Sequence, residues 1–345
     1  MIKEEKKELQ ARDFVVNENG EQKKVRRRSR KTIGGEGSRK QTAVVLLLTI
    51  VFSLFFYLPV EVRNWWQRFN KDEVIVIEKP VGDAEDVSEI VGFEVVIKKR
   101  EDVQTTIEKL LEGLSGNYGV WVKKIDSEAD FGINEEKVIA AASVIKLPVL
   151  IAYYQAIDEG KIDAEAIYEL KEEDRFEYGS GSMQNQAEGT EYSYQEIVKL
   201  IANQSDNMAA KLLTKFLGGE NKVDQVIKGW GLKETSIKDN KTTAKEAGEL
   251  FLRLYKGELL KGESKGELFD NLTNTVLEDR LPAGVPTGVK VVHKFGSEEG
   301  VVNDCGIVYA NEPYVICVIS TEVNDGEAEK VLPKISRVVW EWAGK

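Results

Sequence analysis

Residues 43–60 form a run of 18 uncharged residues, mostly Val, Leu, Ile and Phe. Wound into a helix, such a run is about long enough to cross the hydrocarbon core of a bilayer. It constrains the chain more than any other feature, because the segments on its two sides must then lie in different compartments. Tyr57, Trp65 and Trp66 bracket it as interfacial aromatics do, which favours a membrane span over a buried core helix. A cleaved signal peptide is the competing reading. However, about 40 residues precede the run, and Glu61-Val62-Arg63-Asn64-Trp65 offers no small-x-small cleavage site. An uncleaved anchor over 42–62 is expected.

Charge gives the anchor a direction. Residues 1–40 hold 13 Lys and Arg against 7 Asp and Glu, and the densest stretch is Lys23-Lys24-Val25-Arg26-Arg27-Arg28-Ser29-Arg30-Lys31. By the positive-inside rule the arm at 1–41 is cytoplasmic, and everything beyond the span is extracytoplasmic. The arm carries +6 within a chain of net charge −11, so the other 305 residues carry −17. An acidic remainder of that size argues against nucleic acid as a partner.

Residues 63–100 read as a linker. Its β-prone Val74-Ile75-Val76-Ile77 and Val95-Val96-Ile97 are separated by Pro80, Gly82 and acidic residues. The folded domain is expected over 101–345, a size that suits one core. Val103, Ile107, Leu110, Leu111 and Leu114 recur at helical spacing, predicting a helix over 101–115. A hairpin of 118–125 and 131–133 follows, turning at Asp126-Ser127-Glu128, and then a helix from Ala141 to Asp158. Helical patterns fill 160–276, broken by Tyr178-Gly179-Ser180-Gly181-Ser182. Three strands are predicted at 289–295, 302–309 and 314–321. A last helix carries Val331, Leu332, Ile335, Val338, Val339 and Trp342 on one stripe. The expected fold class is α/β of the α+β kind: a central antiparallel sheet built from both ends of the domain, flanked by helices, with an all-helical lobe and a cleft between them.

Ser143 and Lys146, three residues apart at a helix start, project from one face. A serine hydroxyl is a weak nucleophile, and an amine kept neutral by burial can activate it. Ser-x-x-Lys alone is common, and Ser143 alone would read as a helix N-cap. Two further groups join it: Ser205-Asp206-Asn207 at a junction between helices, and Lys294-Phe295-Gly296-Ser297 on the first of the late strands.

With these three motifs in this order, 101–345 resembles the penicillin-recognising serine hydrolases, in particular their class A β-lactamase-like branch of the β-lactamase/transpeptidase-like fold. The resemblance implies Ser143 as the acylated nucleophile, Lys146 as its proton acceptor and Ser205 as a proton shuttle to the leaving nitrogen. It implies Asn207 and Lys294 as substrate-binding residues, with Ser297 beside them, and the backbone N–H groups of Ser143 and Ser297 as an oxyanion hole. No cofactor or metal is implied. The partners would be a β-lactam or a peptidoglycan stem peptide, taken by a monomeric catalytic domain.

The chain departs from the family pattern twice. Phe295 replaces the Thr or Ser of the third motif and supplies no hydroxyl for a substrate carboxylate. Residues 231–243, where class A enzymes carry a deacylating glutamate, are short and hold Glu234 alone. Without a base, deacylation is slower by roughly 10²–10⁴. The expectation is therefore a membrane-anchored serine acyl-hydrolase with slow turnover. A D,D-carboxypeptidase or penicillin-binding protein, or a catalytically silent wall-binding module, remains the alternative. His293, the only histidine, precedes Lys294 on its strand and is expected as a packed, hydrogen-bonded residue rather than a catalyst. Gly257 to Gly262 has phosphate-loop spacing but continues Glu263-Ser264, so no nucleotide is implied. Cys305 and Cys317 can face each other across two strands, as a disulfide or, the favoured reading, as two buried thiols.

Overall fold

Alternation and β-branching set the sheet. The computed structural model describes residues 14–16, 22–24, 100–175 and 179–343. The anchor at 42–62 and nearly all of the linker lie outside them. Of the basic arm, only strands β1 (Phe14–Val16) and β2 (Gln22–Lys24) are described, as an antiparallel pair. Among the described residues no helix is long and apolar enough to cross a membrane.

The five-stranded sheet runs β4 (Asp130–Ile133), β3 (Asn117–Lys124), β11 (Tyr314–Thr321), β10 (Val301–Val308) and β9 (Val291–Glu298), antiparallel throughout. Strands from the two ends of the domain thus meet in one sheet, as expected. Val315-Ile316-Cys317-Val318-Ile319 places β11 at the centre, where all five side chains are fully buried. Helices α1 (Arg100–Leu111) and α8 (Asp325–Ala343) pack together on one face, α8 through Val331, Leu332, Ile335 and Val339. Helix α6 (Ala244–Tyr255) covers the other face, with Gly248 pressed against the Trp121 ring. Helix α1 ends four residues earlier than the periodicity suggests, at Leu111, before Gly113 turns the chain with φ +79°. Strand β9 runs three residues further than predicted and so carries Gly296 and Ser297 within the sheet.

The helical lobe contains α2 (Lys146–Asp158), α3 (Tyr194–Gln204), α4 (Asn207–Phe216), α5 (Glu220–Gly229) and α7 (Gly262–Asn271). It is not all-helical. Strands β6 (Ile167–Glu169) and β7 (Glu191–Ser193) pair within it, and β8 (Lys241–Thr242) pairs with β5 (Ile139–Ala140). Their short, mixed-polarity sequences carry too few residues for a period of two to show. The thiols are a second correction. The β10–β11 register makes Cys305 and Cys317 direct partners with Cα atoms 3.9 Å apart, and their sulfurs are bonded.

Candidate active site

The position of Ser143 is created by a backbone that few residues tolerate. Ala142 adopts φ +44°, a left-handed conformation uncommon for a residue with a side chain. It throws residues 142–145 into a 3₁₀ turn that runs directly into α2. The expected helix start is therefore a 3₁₀ turn, and Ser143 does not cap it. Neighbours hold the bend: Asn303 Nδ2 donates to the carbonyls of Ala140 and Ala141 at 2.9 and 3.1 Å, and the Val144 N–H donates to Ala141 O. Ser143 is half-buried and lines a cleft of about 950 Å³.

Lys146 follows on the first turn of α2, in contact with the Ser205-Asp206-Asn207 junction. Its Nζ donates to the Ser205 carbonyl and to Asn207 Oδ1, both at 2.5 Å, and lies 3.3 Å from Ser205 Oγ. Two N–H bonds satisfy the two short contacts, so a neutral amine keeps its lone pair for a hydroxyl proton. Burial lowers the Lys146 pKa to about 8, against the pull of the Asp206 and Glu298 carboxylates. Ser205 itself is left-handed (φ +59°) and ends α3. Asp206 caps α4 by accepting from Ala209 N–H, and it also accepts from Met183 N–H. The glycine-rich segment sits hard against this junction. A β-carbon on Gly181 would lie 2.1 Å from Asp206 Oδ2, so the residue must be glycine.

Strand β9 forms the opposite wall. A β-carbon on Gly296 would come within 2.7 Å of the Ser143 nitrogen, so only glycine lets the strand approach Ser143 this closely. Lys294 Nζ donates to Ser205 Oγ at 3.0 Å and to the Phe295 carbonyl at 2.9 Å. The two lysines thus meet at one serine hydroxyl. Lys294 is completely buried rather than facing the cleft, and the Phe295 ring lies 4.1 Å from its ammonium. Burial, aided by the charge of Lys146, drives its pKa well below the lysine range. Ser297 is exposed, and its hydroxyl accepts from Arg280 Nη2 at 2.6 Å. Arg280, 2% exposed, also donates to the carbonyls of Gly296 and Asn303. The structure therefore gathers Ser143, Lys146, Ser205, Asn207 and Lys294, with Ser297 at the end of β9. Arg280 and Asn303 are supports that no local pattern marks, because their partners come from segments distant in sequence.

Glu234 takes no part. Its side chain is exposed and outside the cleft lining, and its N–H donates to Glu246. The loop instead presents Ile237 and Asn240 to the cleft. His293 is packed as expected. It is fully buried, with Nδ1 2.8 Å from Asp304 and Nε2 3.2 Å from Glu278 and from Thr275. Burial alone would lower its pKa, but the two carboxylates hold it up at about 9.

A hydroxyl flanked by amines of lowered pKa, with the only imidazole committed to other partners, has the chemistry of a serine hydrolase that works without histidine. Known proteins narrow the class: the chain belongs to the Beta-lactamase enzyme family, whose profile matches residues 102–343. Beta-lactamase VEB-1 of Pseudomonas aeruginosa is 21% identical over 274 residues, which is 70% of this chain and 90% of that protein. Beta-lactamase ROB-1 of Haemophilus influenzae is 25% identical over 64% of this chain and 79% of its own length. The solved structure of PBP-A matches with a TM-score of 0.67 and 28% identity, covering 71% of this chain and 98% of that one. A mutant of PBP-A solved as an acyl-enzyme complex with penicillin G gives 0.66 at 28% identity, over 70% of this chain and 96% of that one.

Proposed function

We propose that this chain is a membrane-anchored serine acyl-hydrolase of the extracytoplasmic face. It takes β-lactams or D-Ala-D-Ala-type peptides through an acyl-enzyme on Ser143. The observation that carries this reading is the position of Lys146, whose amine is bonded to Ser205 and Asn207 three residues from Ser143 and has its pKa lowered to about 8. Lys146 takes the Ser143 proton as Oγ attacks the amide carbon, and the backbone N–H groups of Ser143 and Ser297 receive the oxyanion. One such donor is worth about 3–4 kcal/mol. Ser205, bridging Lys146 and Lys294, passes the proton to the leaving nitrogen. Asn207 binds the substrate amide, and the substrate carboxylate docks at the end of β9 beside Ser297, with buried Lys294 acting through Ser205. The uncharged run at 43–60 and the basic arm before it support the anchor and its direction.

The absence of Glu234 from the cleft favours one second reading, a penicillin-binding D,D-carboxypeptidase that holds its adduct. An intact-mass time course of residues 63–345 with penicillin, beside Ser143→Ala, separates the cases. A transient adduct with drug consumed supports the hydrolase, and a persistent adduct supports the peptidase. No adduct on the wild-type chain refutes both and leaves a silent binding module. Sedimentation of the full chain with membranes, lost when 1–62 are removed, tests the anchor.

A further inference from the structure

Two cleft residues have no part in the acylation chemistry. Glu298 ends β9, two residues past Gly296, the point at which that strand presses on Ser143. Asn240 comes from the facing loop, and its carbonyl accepts from the Ala141 N–H at 2.9 Å, two residues before Ser143. Asp224 on α5 fixes this loop by accepting from Ser236 Oγ and the Ile237 N–H. Both residues line the same cavity as Ser143 and Lys146. Asn240 Nδ2 donates to Glu298 Oε1 at 2.7 Å, so the pair closes a bridge between the two walls beside the nucleophile.

The bridge leaves two acceptors unused. Among the described residues, Asn240 Oδ1 is buried with no hydrogen-bond partner. A buried polar atom left that way costs about 1–3 kcal/mol, and ordered water is its usual remedy. The second acceptor is Glu298 Oε2: the side chain is exposed, and its bond to Asn240 engages Oε1 alone. A carboxylate oxygen left without a protein partner can accept a proton from a water molecule in the cleft. Glu298 is also close enough to Lys146 for its charge to favour the ammonium form there. Glu220, the other carboxylate of the cleft lining, comes from the first turn of α5 and not from the strand that adjoins Ser143.

We propose that Glu298 is the general base that hydrolyses the Ser143 acyl-enzyme, with Asn240 as the residue that positions its carboxylate. The inference rests on the acyl-serine reading above. Water oxygen bonds to the acyl carbon as Glu298 takes one of its protons. The tetrahedral intermediate then re-forms its carbonyl as the C–Oγ bond breaks, and the proton returns to Ser143 Oγ. One water is consumed and one carboxylic acid leaves, with no change of oxidation state. The base thus comes from the sheet edge, and the short loop supplies only its amide partner.

The test is the intact-mass time course with penicillin G, run on wild type, Glu298→Gln, Asn240→Ala and the neighbouring control Glu299→Gln. In Glu298→Gln the ratio of adduct decay to adduct formation falls roughly 10²-fold or more. In Asn240→Ala it falls roughly tenfold, the cost of one hydrogen bond. Glu299→Gln matches wild type. Glu298→Asp recovers part of the decay rate. Wild-type decay in Glu298→Gln overturns the inference, and so does a wild-type adduct that never decays. An absent adduct on the wild-type chain would instead mean that the acyl-serine reading itself has failed.

Discussion

The lowered pKa of Lys146 makes the pH dependence of acylation a direct probe of the site. Burial brings the amine from 10.5 to about 8. A shift of that size raises the neutral fraction at pH 7 roughly 300-fold, worth about 3.4 kcal/mol. The active form is the deprotonated amine, so the rate of Ser143 acylation rises about tenfold per pH unit below pH 8 and levels above it. Rapid-quench mass spectrometry with penicillin from pH 5.5 to 9.5 reads the rate directly. Asp206 is the larger of the two charges favouring the ammonium, so Asp206→Asn moves the midpoint below 8. A rate at pH 6 equal to that at pH 8.5 refutes the lysine as base, and a midpoint near 10.5 refutes the role of burial.

Other outcomes follow from single contacts. Gly296→Ala places a β-carbon 2.7 Å from the Ser143 nitrogen, so acylation falls roughly 10²-fold or more while circular dichroism holds; normal acylation refutes the steric argument. Cys305 and Cys317 take no alkylating label in denaturant without reductant, and two labels refute the bridge. Replacing both by Ala lowers stability by about 3 kcal/mol in chemical denaturation, as a loop of this length implies. His293 titrates near 9 folded against 6.5 unfolded, so its contribution is complete below pH 6.5 and lost as pH rises through 9. The stability difference between wild type and His293→Gln therefore shrinks by about 3 kcal/mol over that window. A constant difference refutes a charged His293.

Much of the fold could be read in the sequence because its signals are local. The apolar run of β11 marks the sheet centre, the stripe on α8 marks its cover, and the order of elements joins the two ends. The short pairs β5–β8 and β6–β7 could not be read that way. Each has two or three residues, and their pairing depends on loop closure rather than on periodicity. The sequence favours two thiols over the disulfide for a similar reason: it puts Cys305 and Cys317 on adjacent strands, but only the register makes them direct partners.

Among the site residues, the sequence alone singled out Ser143, Lys146, Ser205, Asn207 and Lys294, which lie in short motifs whose spacing reflects local backbone geometry. Tertiary structure decided their environments. It buried Lys294 under Phe295, set Arg280 beneath Ser297, turned Glu234 away and brought Glu298 to Asn240. A motif fixes which groups stand near one another along a few residues of chain. Desolvation and long-range contacts, which set their pKa values and partners, arise only when segments far apart in sequence pack together.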